Sequence, residues 1–276
     1  MKPLQVELLV AGTCTHPEHI VHRNWKWKPL VFPATVALIR HPEEGVILFD
    51  SGYSEPFLAA TRHFPERMYR WVTPVQFESG HSVAAQLAQR GISPLEVRWI
   101  VVSHFHADHI GGLRDFPHAR FLFLDAAWRR VQGLRGLGGL RRGFLPSLLP
   151  EDFSRRATAV QPADVQLPAE LRGFTGAVDL FGDGSLLGIP LEGHAEGQMG
   201  LALRTEAGEL WFLVADACWT RRCLEGPIAP HWVTRLLFDD SAKYRDQLGK
   251  LAGIARRADG LRIIPSHCME TIAELT

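Results

Sequence analysis

The sequence holds 276 residues, 46% hydrophobic and 22% charged, ordinary values for a globular chain with ample core for one large domain or two small ones. Thirty Lys and Arg balance thirty Asp and Glu, so charge does not point to a dedicated nucleic-acid or membrane-surface protein. No apolar run approaches the roughly 18–20 residues that would cross a bilayer, and a cytoplasmic location is expected.

MKPLQVELLVAGTC begins with a short apolar run that Glu7 interrupts, and it reads as a first strand rather than a signal segment. QVELLVAG (5–12), ATVALIRH (34–41) and GVILFDSG (45–52) are β-branched and aliphatic runs bounded by Gly and Pro, the pattern of strands. Residues 53–63 and 79–90 have helical spacing, with Gly91 as a C-cap after SVAAQLAQR. VRWIVVSH (97–104) is a buried strand ending in histidine, and ARFLFLD (119–125) is another.

From about 126 to 160 the character changes. Residues 129–156 hold seven arginines against Glu151 and Asp152 alone. Two readings stay open: a solvated helical hairpin, or a lid or dimer element over a site mouth, whose arginines meet an anionic substrate. Strand patterns resume at 177–182, 185–191, 199–205 and 209–216. An amphipathic helix follows at 240–257, a last strand at 261–267 and a short helix at 269–275. Two strand-rich halves, each with helices late in its run, predict two sheets packed face to face with helices outside. The expectation is one α/β domain over residues 1–276, with an Arg/Gly/Leu-rich insertion at about 126–160. No GxGxxG follows the first strand, which argues against a dinucleotide fold.

The chemistry concentrates in SHFHADHIGG, residues 103–112. His104 and His106 lie two apart just past a strand, so both imidazoles can face one ion. Asp108 and His109 follow where the chain turns, and can face a second. Imidazole with carboxylate suits zinc, with iron or manganese as alternatives. Further candidates stand at strand ends: His194 in GHAEGQMG, Asp216 in LVADACW and His267 in IIPSH. Each alone would be an ordinary loop residue.

HFHADH resembles the HxHxDH motif of the metallo-β-lactamase superfamily, and His194, Asp216 and His267 stand in that superfamily's order. The resemblance runs from about residue 5 to 270. It implies a four-layer αββα sandwich with two Zn2+ ions. His104, His106 and His194 would hold one metal, Asp108, His109 and His267 the other, and Asp216 would bridge them. Asp50, in LFDSG, would orient a ligand. The implied activity is hydrolysis of a carbonyl ester-type bond by a metal-bridging hydroxide, with Asp108 passing a proton to the leaving group. Flavodiiron members replace the second histidine with glutamate and carry a flavin domain, and RNA-processing members need additional domains.

Within the superfamily the chain is most similar to N-acyl homoserine lactone lactonases, with two departures. Those enzymes have a tyrosine donor to the lactone oxygen where Trp219 stands here, and an indole N–H donates a single hydrogen bond. The interval between His109 and His194 also looks longer. Lactone or ester hydrolysis is therefore the first choice, a thioesterase of the glyoxalase II type the second and a phosphodiesterase the third. A non-catalytic binding member is the alternative outside enzymes. The expected partner is a small-molecule ester, lactone or thioester, with no nucleic acid and no membrane, and a homodimer is allowed for.

Weaker candidates remain. Cys14, Cys218, Cys223 and Cys268 form no CxxC pair and read as reduced thiols, although Cys268 adjoins His267. WKWKP, with Trp25 and Trp27, reads as an acyl-chain pocket or the cover of a sheet edge. For His16, His19 and His22 two readings stay open, a polar loop and an approach to the metal site, and Tyr53, Tyr69 and Met199 read as packing.

Overall fold

The computed structural model of the chain describes residues 1–21, 26–225, 231–236 and 238–275. Its strands, in chain order, are β1 (Pro3–Pro17), β2 (Pro29–His41), β3 (Gly45–Phe49), β4 (Val75–Gln76), β5 (Val97–Val101) and β6 (Arg120–Leu124). They continue as β7 (Ala157–Val160), β8 (Val178–Asp179), β9 (Leu186–Pro190), β10 (Met199–Thr205), β11 (Leu210–Ala215) and β12 (Leu261–Pro265). In the first sheet β1, β2 and β3 pair antiparallel, and β3, β5, β6 and β7 continue in parallel. In the second, β9, β10 and β11 pair antiparallel and β12 runs parallel to β11. The sheets join where Pro3 and Leu4 pair with Arg204 and Thr205.

Alternation along the strands decides the layering. Leu8, Ala37, Ile39, Phe49 and Val101 of the first sheet meet Leu201, Leu203 and Leu213 of the second in a central layer. Their chain neighbours Leu9, Val36, Leu38, Leu48 and Ile100 point the other way, onto Phe57, Val83, Leu87 and Ile110. On the far side Ala202, Phe212 and Val214 pack on Tyr244, Leu248 and Leu251 of the helix Ser241–Ala255. Strand side chains alternate faces, and both faces of each sheet are buried, so the strands read as unbroken apolar runs. The result is the expected αββα sandwich.

Several boundaries differ from the expectations. β1 runs on past Gly12 to Pro17, through a register irregularity between Val10 and Thr13, because β2 supplies partners as far as Pro29. The helical stretch at 79–90 divides into a turn at Ser79–His81 and a helix at Val83–Gln89, whose start Ser82 caps by accepting from the Ala85 nitrogen at 3.2 Å. The arginine-rich stretch ends in β7, an edge strand of the first sheet, so its last residues belong to the sandwich. Among the described residues no helix is long and apolar enough to cross a membrane.

This topology positions the site. Asp50 follows β3, His104 follows β5, His194 follows β9, Asp216 follows β11 and His267 follows β12.

Candidate metal centre

Local backbone constraints aim these residues. Asp50 and Ala215 are the non-glycine residues with positive φ among those described, at 64° and 46°. Such conformations are costly and persist where surrounding contacts over-determine them. Asp50 is held that way by accepting from the Ser103 nitrogen at 2.7 Å and the Ser103 hydroxyl at 2.8 Å. Gly111 and Gly112 let the short helix Ala107–Ile110 press onto Gly52 and Ser51; a Cβ at either would stand 2.6 Å from a backbone oxygen. Ser51 then donates its N–H and hydroxyl to the His109 carbonyl at 2.8 and 2.9 Å.

The seven expected metal ligands converge in two groups. His104, His106, His194 and Asp216 form one, and Asp108, His109 and His267 the other; within each, the potential ligand atoms lie within 4.8 Å of one another. Asp216 divides its carboxylate between them. Its Oδ2 is 3.1 Å from His194 Nε2, while its Oδ1 is 3.2 Å from His109 Nε2 and 3.1 Å from His267 Nε2. Asp108 Oδ2 lies 3.6 Å from His109 Nε2 and 3.5 Å from His267 Nε2. His106 Nδ1 is 3.0 Å from His194 Nε2.

Two of the other ring nitrogens are fixed from behind. His109 Nδ1–H donates to Asp50 Oδ2 at 2.7 Å, and His267 Nδ1–H to the Pro33 carbonyl at 2.8 Å. Such partners set the tautomer that presents Nε2 to a metal. His104 Nε2, His109 Nε2 and Asp216 Oδ1 are buried and have no hydrogen-bond partner in the protein. Buried polar atoms left this way are costly, and several aimed at a common centre fit a cation.

The electrostatics agree. Burial, reinforced by neighbouring His109 and His106, pushes His104 well below the usual histidine range. Burial likewise lowers His106, and takes His194 down to about 3. These three imidazoles are neutral, the form that coordinates metal. Burial also opposes charge on His109, but Asp108, Asp50 and Asp216 outweigh it and raise that ring well above its usual range. Burial opposes ionisation of Asp216 too, yet His267, His194 and His109 hold it well below the usual carboxylate range.

Trp219 lies against the centre. Its indole N–H donates to Asp216 Oδ2 at 3.1 Å. The ring packs on His194 and Phe238, with centroids at 5.8 and 5.5 Å. Five of the seven arginines in the arginine-rich segment have acidic partners. Arg130 and Arg142 both pair with Asp239, Arg129 with Asp125, and Arg155 and Arg156 with Asp152. The Gly143 carbonyl accepts from the Ala107 nitrogen at 2.9 Å, and a Cβ at Gly143 would stand 2.8 Å from the His106 ring. The segment is thus a wall of the site.

Ser103, Pro33 and Asp239 escaped the sequence reading. A backbone carbonyl leaves no residue-type signal, and a serine or aspartate is too common to stand out. Among the weaker candidates, His16 lies 5.7 Å from Phe32, which is 5.9 Å from His267, so it stands one ring away from the centre. Trp27 is 75% exposed and stacks on His19 at 4.2 Å; Trp25 and His22 lie outside the described residues. The four cysteines are buried and unpaired, with Cys268 Sγ accepting from the Arg221 nitrogen at 3.5 Å.

Comparison with known proteins adds four findings. The family model described as the metallo-beta-lactamase superfamily matches residues 29–267. A curated relative from Mycobacterium tuberculosis, named as a probable metallo-hydrolase, is 30% identical over 243 residues, covering 83% of this chain and 73% of its own. The N-acyl homoserine lactonase AttM of Rhizobium johnstonii is 26% identical over 275 residues, 97% of this chain and 94% of its own. A solved N-acyl homoserine lactone hydrolase with N-hexanoyl-L-homoserine at its catalytic metal centre shares the fold at a TM-score of 0.73, with 18% identity over 100% of this chain and 98% of its own.

Proposed function

The chain belongs to the metallo-beta-lactamase superfamily and is a metal-dependent hydrolase; from that premise we propose that it is a dinuclear zinc enzyme acting on a lactone or similar carboxylic ester. The observation that carries this reading is the division of Asp216 between two buried sets of imidazoles. His104, His106 and His194 would hold one zinc, Asp108, His109 and His267 the other, and Asp216 both. Nitrogen-rich sets of this kind suit zinc best, with iron or manganese as alternatives. Residues 1–276 act as one domain in this reading.

Two divalent cations, held by these seven side chains, would supply Lewis acidity and activate a water as nucleophile near neutral pH. The chain's own residues do the rest. Asp50 and the Pro33 carbonyl hold the His109 and His267 rings, and Trp219 holds Asp216 in its divided orientation. Asp108, the most exposed of the three site carboxylates, is placed to accept a proton and return it to the leaving alkoxide. The buried aromatic wall of Trp219 and Phe238 excludes water from the His194 side. The lactonase relatives support a small-molecule lactone as the substrate class.

The test is proton release from zinc-reconstituted protein given acyl-homoserine lactones of short and long chain, with a glutathione thioester in parallel. Rapid, chelator-sensitive acid release from a lactone is expected. Turnover of the thioester alone would overturn the ester assignment, and silence on both would overturn the carbonyl-hydrolase reading.

A further inference from the structure

We propose that Asp239 is a positioning residue for the first metal group, a pin that fixes the wall behind His106 against the loop bearing His194. The proposal rests on the dinuclear reading above. It stands on one carboxylate that three separate segments share.

The loop bearing His194 is tied to residues 239 and 240 at three points. The Asp239 nitrogen donates to the His194 carbonyl at 3.2 Å, the Asp240 nitrogen to the Gly193 carbonyl at 3.0 Å, and the Glu196 nitrogen to Asp239 Oδ2 at 2.9 Å. The other oxygen of Asp239 faces the arginine-rich wall. Arg130 reaches Oδ1 through Nη2 at 2.8 Å and shares its Nε between Oδ1 at 3.2 Å and Oδ2 at 3.3 Å, and Arg142 donates to Oδ1. Arg142 directly precedes Gly143, whose backbone lies on the His106 ring. One side chain therefore links the wall behind His106 to the loop of His194, and those two rings stand 3.0 Å apart.

Aspartate suits this place for a chemical reason. All its partners are donors, and a carboxylate offers acceptors only. Asparagine would turn an N–H2 toward either a guanidinium or the Glu196 nitrogen. Charges balance locally, Arg130 and Arg142 against Asp239 and Glu196, so the cluster is a clamp and leaves no surplus charge for an anion.

The experiment is competition of a chromophoric chelator for zinc, with the visible spectrum of the cobalt(II)-loaded protein as a second readout. Wild type should show two classes of site, and the class that His104→Ala removes is the first group. In Asp239→Asn that class should weaken roughly 10–100-fold, as for other groups that orient metal ligands. Its cobalt band should shift, the second class should stay unchanged, and Asp239→Glu should recover part of the loss. Unchanged affinities and spectrum, or an equal loss in both classes, would overturn the proposal. If Asp239→Asn does not fold, Arg142→Gln decides by the same criteria, with a smaller loss confined to the first class. Wild type binding fewer than two ions would overturn the dinuclear reading itself, before any variant is compared.

Discussion

In the proposed centre the two oxygens of Asp216 have separate roles, and a single indole N–H fixes which of them faces which set. Trp219 donates to Oδ2, on the side of His194, leaving Oδ1 to face His109 and His267. A hydrogen bond to a charged group is worth about 1.5–3 kcal/mol. Trp219→Phe preserves the packing on His194 and Phe238 but removes that donor. We expect kcat/KM to fall roughly tenfold or more, mostly in kcat, measured on the fastest substrate. Unchanged kinetics would mean that Asp216 is oriented without the indole. At this scale the seven convergent residues were legible, because histidine and aspartate at strand ends are an uncommon combination. The role of Trp219 was not. Its direction is decided by Phe238 and Tyr244, which pack against it from segments that no local pattern connects to DACW.

The loop after β9 shows what an element needs in order to present one ligand. Gly193 has φ 129° with a virtual Cβ 2.2 Å from the Tyr244 nitrogen, and Gly197 has φ 68° with a virtual Cβ 2.1 Å from the Ala127 nitrogen. The loop is squeezed between the starts of two helices, Asp125–Val131 and Ser241–Ala255. Gly197→Ala meets backbone that cannot yield cheaply, as well as an unfavourable φ. It should cost roughly 1–3 kcal/mol or more and lower the melting temperature by several degrees. Gly208→Ala is the control, since φ is 82° there but nothing lies within 4 Å of the added carbon. Equal melting temperatures for the two variants would contradict the close-packing account. The long apolar strands were readable from their runs. The two-residue strands β4 and β8 were too short to leave a pattern, and β7, of sequence ATAV, lay hidden behind arginines. The pairing of Arg130 and Arg142 with Asp239 joins residues about a hundred positions apart, so the local count of arginines overstated the free positive charge.

Across the whole molecule, alternation on strands buried on both faces produces four layers, and one edge of the paired sheets collects five strand ends. Away from that edge a second polar tie holds the sheets together. Asp183, before β9, pairs with Lys2 at 3.0 Å and lies 3.4 Å from His41 at the end of β2. Fold and superfamily were legible because the ligand order constrains the topology strongly. The substrate was not, because the surroundings of the centre come from distant parts of the chain, among them Phe32 and Pro33 of β2 at His267 and Gly143 of the arginine-rich segment at His106. The central claim is that this edge holds two metal ions through seven side chains, and counting the ions tests it most directly. Zinc measured by elemental analysis after reconstitution and removal of free metal should be about two ions per chain in wild type and about one in His109→Ala. A wild-type chain holding one ion or none, or a His109→Ala chain still holding two, would contradict it.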